Sequence, residues 1–123
     1  MIPDLAGESL DAVACESILE LRTDGGWYVT IENDYSLSRP GQPGLDTAAG
    51  DEDQIVEVLE SSVGLPVRAD ASTSGGLTLT VGEATIRVAA APTFESWSMV
   101  GPSQQRVVST PGGELVTWGL AER

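Results

Sequence analysis

Short runs of alternating apolar and polar residues, separated by glycine-containing turns, constrain this chain more than any other feature of its sequence. Leu77-Thr78-Leu79-Thr80-Val81 alternates without a break and lies between Gly76 and Gly82. Successive side chains of a β-strand point to opposite faces, so this run predicts a strand with one buried face. Glycine readily adopts the positive φ that tight turns between strands require. A chain built mainly of such units is predicted to form antiparallel β-structure.

The first half shows the same pattern around Asp24-Gly25. After this dipeptide, Trp27, Val29 and Ile31 share one face of a predicted strand that runs to residue 32. Residues 8–14 and 17–23 are two further predicted strands. Asp-Gly between alternating runs is a strong hairpin signal, because the favoured hairpin turns need positive φ at their central positions. We therefore predict a hairpin centred on this turn.

One segment, residues 51–63, has helical instead of strand periodicity. Ile55 and Leu59 recur at helical spacing within it. Asp51-Glu52-Asp53 is predicted to cap the first turn and to place negative charge where the helix dipole favours it. Gly64 follows at a position typical of a helix end.

The rest of the pattern completes a single predicted domain over residues 1–123. The other predicted strands are residues 67–71, 84–89, 95–100, 105–110 and 114–118. Residues 38–50 are rich in proline and glycine, so we predict a flexible loop there. The sequence therefore predicts an α+β fold: an antiparallel β-meander or sandwich of about eight strands with a single α-helix at about 51–63.

The charge of the chain is strongly negative and unevenly distributed. There are 19 acidic and six basic residues, for a net charge of −13. Residues 1–64 hold 14 acidic residues and two arginines, and so carry a charge of −12. Such a field repels phosphate backbones, so we expect no nucleic-acid partner. It would attract a basic protein, although an acidic surface also serves solubility alone.

Several kinds of chemistry are excluded by the residues that the chain lacks. It has no lysine and no histidine, so a Schiff-base lysine, a histidine base and a histidine metal ligand cannot exist. Cys15 is the only cysteine; it cannot form an internal disulfide, and we expect it to be a small core residue. Residues 1–5 lack the features of a signal peptide, and no apolar run reaches membrane-spanning length. We therefore expect a cytoplasmic protein with no membrane association.

Glu95 and Glu114 are the candidate acid–base residues, because aromatic side chains lie near both in the sequence. Trp97 follows the first and Trp118 the second. An apolar neighbourhood raises a carboxyl pKa, as in glycosidases, but glutamates at strand edges are usually solvated. The tryptophans themselves fit either a buried core or the anchors of an interface.

The acidic triplet Asp51-Glu52-Asp53 could also begin a calcium-binding loop. That loop requires a glycine at its sixth position and a glutamate at its twelfth. Val56 and Ser62 occupy those positions here. We therefore expect no metal site and no cofactor.

The C-terminal part of the chain has a characteristic pattern. It consists of Phe94-Glu95-Ser96-Trp97, then Gly101-Pro102, then Pro111-Gly112-Gly113-Glu114-Leu115-Val116-Thr117-Trp118-Gly119. This pattern resembles the C-terminal signature of a family of small, uncharacterised actinobacterial domains, a domain of unknown function. Leu5-Ala6-Gly7 and the early Asp-Gly hairpin also fit the family pattern. The resemblance implies no known activity.

Three functional hypotheses follow. The first is a non-catalytic protein-binding module, comparable to an immunity or anti-toxin protein, that engages a basic partner. It would use the acidic residues at 51–53 and the aromatic anchors. The second is a small enzyme or carbohydrate binder that uses Glu95 and Glu114 beside Trp97 and Trp118. The third is a structural domain that associates with itself, for example as a homodimer.

Overall fold

The computed structural model describes residues 2–119, which form eleven β-strands and one α-helix. The strands are β1 (Leu10–Cys15), β2 (Leu19–Thr23), β3 (Tyr28–Ile31), β4 (Tyr35–Ser38), β5 (Leu45–Asp46), β6 (Val67–Ala71), β7 (Leu77–Val81), β8 (Ala84–Val88), β9 (Trp97–Val100), β10 (Arg106–Ser109) and β11 (Leu115–Trp118). The helix is α1 (Glu52–Glu60), and a short 3-10 helix covers Thr47–Ala49 before it. The predicted α+β class is confirmed.

The strands form two antiparallel sheets. The first has six strands in the order β1-β2-β3-β9-β10-β11, and the second has five in the order β5-β4-β8-β7-β6. After β3 the chain leaves the first sheet, builds the whole second sheet and α1, and returns with β9 beside β3. The arrangement is therefore a sandwich with a long excursion, and not one continuous meander.

Apolar side chains from both sheets and from α1 form a common core. The alternation of β7 is confirmed, because Leu77, Leu79 and Val81 are buried while the two threonines between them are partly exposed. Trp97 is the largest fully buried side chain. Fully burying one large aliphatic side chain stabilises a fold by about 1.5–3 kcal/mol, so this shared core explains why the sheets stay together.

The helix packs as its periodicity predicts but is shorter than expected. Ile55 and Leu59 are its buried residues, and it contacts β1 and β5, an edge strand of each sheet. The predicted cap is wrong: the Asp51 side chain makes no bond to the helix, and its Oδ2 accepts instead from the Asp46 backbone N–H at 3.0 Å. No helix within residues 2–119 has the length and apolar character needed to cross a bilayer.

The predicted loop at 38–50 is more ordered in its secondary structure than its composition indicates. Ser38 ends β4, and β5 and the 3-10 helix occupy 45–49, so only residues 39–44 and Gly50 lie outside regular elements. Strands β4 and β5 were missed because they are four and two residues long and are rich in polar residues. The mobility of this segment stays a prediction, which limited proteolysis would test.

A single carbonyl joins the turn between β6 and β7 to the six-stranded sheet. The Gly75 oxygen accepts from Trp97 Nε1 at 2.9 Å and from Ser109 Oγ at 3.0 Å. Gly75 has φ of +90°, and a side chain there would overlap the main chain of Gly113. Both polar groups buried under the turn are therefore satisfied, and this position requires glycine.

Candidate functional site

A row of large side chains crosses the outer face of the six-stranded sheet. The strand register pairs Arg22 with Tyr28, Tyr28 with Val100, Val100 with Arg106, and Arg106 with Trp118. Directly opposite residues of antiparallel strands share a face, so the five side chains lie side by side. Four strand spacings give this aromatic row a length of about 19 Å.

The aromatic row points to solvent and not to the core. Trp118 is 52 % exposed, Tyr28 38 % and Val100 37 %, and both arginines are exposed. Their neighbours along the strands, such as Val29 and Met99, are buried against the second sheet. Exposed large apolar residues are normal singly, but five adjacent strands contributing to one row make a contiguous surface.

Each arginine of the aromatic row lies over a ring. The Arg22 Cζ is 5.9 Å from the centroid of the Tyr28 ring, and the Arg106 Cζ is 5.8 Å from that of Trp118. Contact with Tyr28 raises the pKa of the Arg22 guanidinium, and Asp11 pairs with it at 3.3 Å. Cation–π contacts of this kind favour one orientation of each ring.

Smaller side chains form a second row on the same face. They are Glu20, Thr30, Ser98, Val108 and Val116. Thr30 Oγ1 and Ser98 Oγ are hydrogen-bonded at 2.6 Å, and Val108 is only 2 % exposed although it lies on the outer face. The second row therefore forms a shallow depression beside the aromatic row, and a partner side chain could fit into it.

The structure separates the two tryptophans that the sequence places together. Trp118 lies at the end of the aromatic row, whereas Trp97 is fully buried and satisfies its N–H on Gly75. Trp97 therefore belongs to the core, the first of the two roles that its sequence allowed. Trp118 is the residue that remains available to an interface.

Glu95 and Glu114 are exposed at the opposite end of the strands from Trp118. Glu114 precedes β11 while Trp118 ends it, a separation of about 14 Å along the strand. The main chain of Glu114 pairs with Thr110 and that of Ser96 with Ser109, so the two glutamates flank β10. The structure does not bring either carboxylate beside Trp118.

The acidic triplet lies on a different side of the molecule. Asp51, Glu52 and Asp53 begin α1, which packs at β1, and β1 and β11 are opposite edges of the six-stranded sheet. Five strand spacings between those edges correspond to about 24 Å. The residues predicted to act together as one binding surface are therefore divided between two surfaces.

Sequence reasoning missed four members of the aromatic row: Arg22, Tyr28, Val100 and Arg106. Each of these residues stands at a position that alternates with buried apolar residues along its strand. The sequence of each strand alone therefore indicated that the residue faces outward. The signal that unites them is the pairing of β3 with β9, which joins residues 31 and 97. No local pattern specifies that pairing.

Within residues 2–119 there is no group of three or more cysteine, aspartate or glutamate side chains placed to hold a metal ion.

Comparison with known proteins gives one family. Residues 1–119 match a family model described as a family of unknown function (DUF6188). No curated protein and no solved structure matches the chain.

Proposed function

Because the chain belongs to the family of unknown function DUF6188, its family assigns it no activity, and we propose from its geometry that it is a non-catalytic protein-binding module. The exposed aromatic row on the six-stranded sheet is the observation that supports this function. Trp118 would anchor the partner, with Tyr28 and Val100 as further contacts. Tryptophan, tyrosine and arginine are the residues most enriched among the energetically dominant contacts of interfaces.

The charge of the molecule favours a basic protein as the partner. Of the two arginines in the aromatic row, Arg22 has acidic neighbours, because Asp11 pairs with it and Glu20 lies two residues before it on β2. At longer range the net charge of −13 dominates and attracts a positively charged surface. Electrostatic complementarity mainly accelerates association, while buried anchors mainly slow dissociation. A small acidic protein that captures a basic one is the arrangement expected of an immunity or anti-toxin protein.

The enzyme or carbohydrate-binding alternative has less support. It needs a tryptophan beside Glu95 or Glu114, yet Trp97 is buried and Trp118 lies at the far end of its strand. Both glutamates are exposed, so neither has the apolar surroundings of a glycosidase acid. An actinobacterial origin and a cytoplasmic location stay predictions from the sequence.

Affinity capture with matched variants tests the proposal. The wild-type protein, Trp118→Ala and Phe94→Ala would be immobilised and exposed to lysate of the native organism, with bound proteins identified by mass spectrometry. Phe94 is a suitable control, because it is an exposed aromatic residue outside the aromatic row. We expect a basic protein that binds wild-type and Phe94→Ala but loses about 2 kcal/mol of binding, roughly 30-fold in Kd, with Trp118→Ala.

Two outcomes would contradict the proposal. Equal capture by Trp118→Ala and Phe94→Ala would remove the aromatic row from the interface. Sedimentation equilibrium showing a dimer that Trp118→Ala dissociates would make a second copy of the chain the occupant, and the third hypothesis would replace the first. Melting temperatures of all three proteins should agree closely, because both substituted side chains are exposed.

A further inference from the structure

The outer edges of the two sheets differ in whether other parts of the chain cover them. Residues 4–8 run along β6, where the Val67 and Ala69 N–H groups donate to carbonyls of this segment at 3.0 and 2.9 Å. The Leu10 N–H of β1 donates to the Leu65 carbonyl at 2.9 Å, and α1 packs on the same strand. Strand β5 is only two residues long and contacts α1. Three of the four sheet edges are therefore covered within the part of the chain that the structure describes.

Strand β11 is the fourth edge, and within residues 2–119 no main-chain hydrogen bond reaches its outer side. The strand pairs with β10 alone among the described residues. Its sequence, Leu115-Val116-Thr117-Trp118, holds no charged residue and no proline. Charged side chains and prolines are two of the features that prevent an exposed edge from pairing with another chain. The free edge of β11 is therefore a template for one more strand.

The strand register shows which main-chain groups face the free edge. The Thr110 N–H donates to the Glu114 carbonyl at 2.9 Å, and hydrogen-bonded pairs alternate along antiparallel strands. The even-numbered residues of β11 therefore direct their main-chain groups toward β10. Leu115 and Thr117 direct theirs the other way, so the free edge presents two N–H and two C=O groups to solvent or to a partner.

A cavity lies at the start of the free edge. It has a volume of about 420 Å³, and no residue of β10 lines it, which indicates that it opens on the free side of β11. The lining of this edge cavity combines apolar side chains, Ile2, Ala71 and Leu115, with the exposed carboxylates of Asp70 and Glu114. An apolar wall with carboxylates beside it suits the long stem and cationic end of an arginine or lysine side chain.

We infer that an extended segment of the basic partner adds to β11 as a seventh strand of the six-stranded sheet, with a basic side chain in the edge cavity. The inference rests on the proposed function and specifies how the partner binds. In strand addition, main-chain hydrogen bonds supply affinity, and pockets for alternate side chains supply selectivity. The added residues that bond to Leu115 and Thr117 share their face of the sheet, and so point toward the edge cavity.

The added strand would continue the aromatic row. Trp118 occupies a position of the free edge where facing residues are not hydrogen-bonded, and the Cα atoms of such pairs are only about 4.5 Å apart. A side chain opposite Trp118 would therefore pack on its ring and lengthen the row by one strand. A second copy of this chain is a less suitable occupant, because two copies with a charge of −13 each repel one another.

Titration with an acetylated and amidated peptide of alternating arginine and valine, followed by NMR of the 15N-labelled full chain at constant ionic strength, tests the inference. We expect saturable shifts at Leu115 and Thr117, and at least fivefold slower hydrogen exchange of these two amides in the complex. N-methylation of the arginine residues should weaken binding at least tenfold, because their main chain would face β11. N-methylation of the valine residues should change binding less than threefold. Absence of saturable shifts, or equal effects of the two methylations, would overturn the inference.

Two variants of one residue provide the same comparison from the side of the protein. Thr117→Pro removes an N–H of the free edge, a position at which strands tolerate proline, whereas Thr117→Ala keeps the N–H and removes the side chain. We expect Thr117→Pro to weaken binding of the unmethylated peptide at least tenfold and Thr117→Ala to change it less than twofold. Equal binding by the two variants would overturn the inference. The methylated peptides test the wild-type protein, so the result does not depend on the stability of the proline variant.

The same variants separate this inference from the proposed function. A basic protein lost by both Trp118→Ala and Thr117→Pro would support strand addition at the aromatic row. Loss with Trp118→Ala but full capture by Thr117→Pro would keep the proposed function and overturn strand addition. A dimer of the chain that Thr117→Pro dissociates, with no binding of the peptide, would make a second copy the occupant of the free edge and also overturn it.

Discussion

The α1 side of the molecule and the outer face of the six-stranded sheet differ in how the sequence encodes them. The acidic residues of α1 are close in sequence: Glu52, Asp53, Glu57 and Glu60. The aromatic row takes Arg22 and Tyr28 from the first half of the chain and its other members from the second. A charged helix can thus be recognised from composition and periodicity, whereas a surface made by non-local strand pairing becomes visible only in the fold.

The largest expected effect is a loss of stability, and it tests whether α1 packs against the core. Leu59 is fully buried, so Leu59→Ala should lower the free energy of unfolding by about 2–4 kcal/mol, measured by urea denaturation. Val63 follows the same helix but is 49 % exposed, and Val63→Ala should cost less than about 0.5 kcal/mol. Similar losses in the two variants would mean that α1 does not pack as described.

Alkaline pH should lower the free energy of unfolding through two groups on the α1 side, Tyr35 and Cys15. Burial raises the pKa of the Tyr35 phenol and, with Glu52 nearby, that of the Cys15 thiol. Both shifts favour the neutral forms in the folded state, so their stabilising effect is present below the unfolded pKa values of about 8.5 and 10. As pH rises above those values, stability should fall, and most of the loss should come from Tyr35, which is 5 % exposed.

A tyrosine variant checks this alkaline sensitivity. Tyr35→Phe should flatten the pH dependence of the unfolding free energy above about pH 10. An unfolding free energy that falls equally with pH in Tyr35→Phe and in the wild-type protein would contradict the buried environment of Tyr35.

These contrasts also show how far the sequence alone determines the fold. Alternation was sufficient for β7, and periodicity placed Ile55 and Leu59 on the buried face of α1. Periodicity did not determine the hydrogen-bond partner of the Asp51 side chain. A carboxylate just before a helix can accept either from an N–H of the first helical turn or, as here, from the N–H of Asp46. The local energies of those two arrangements are too similar for a pattern to decide between them.

The candidate site was less predictable than the fold. Trp97 and Trp118 stand in comparable local sequence, each a few residues after a glutamate and in a short run that mixes apolar and hydroxyl side chains. Burial depends on which face the register turns inward, and a shift of one residue would exchange the two faces. The sequence could therefore name Trp118 as a candidate anchor but could not place Tyr28 and Val100 beside it.

Salt should separate the roles of the two regions once a basic partner is identified. Raising ionic strength from about 50 to 500 mM shortens the Debye length from above 10 Å to about 4 Å, so association should slow severalfold. Neutralising Asp51, Glu52 and Asp53 together should reproduce part of that loss in stopped-flow measurements. Trp118→Ala should mainly accelerate dissociation and keep the salt dependence. Association that is indifferent to salt would leave the acidic residues as a solubility feature.

The smallest expected effect concerns metal ions on the α1 side. Melting temperatures with excess EDTA, with calcium and with zinc should agree within error. The physical reason is that Asp51 is bonded to Asp46 and the described residues hold no group suited to a metal. A melting temperature that rises with calcium concentration, as linkage requires, would show that the acidic residues form a cation site.

The excursion of the chain between β3 and β9 has a consequence for the order in which the protein folds. Strands β6, β7 and β8 are joined by short turns and pair with their neighbours in sequence. The six-stranded sheet needs residue 31 to meet residue 97, and closing a loop of that length has a larger entropic cost than closing a hairpin. We expect the β6–β8 unit to form early and the β3–β9 pairing to limit the folding rate. During synthesis, the surface that carries Trp118 would then form only after the whole five-stranded sheet and the strands β9, β10 and β11 have been made.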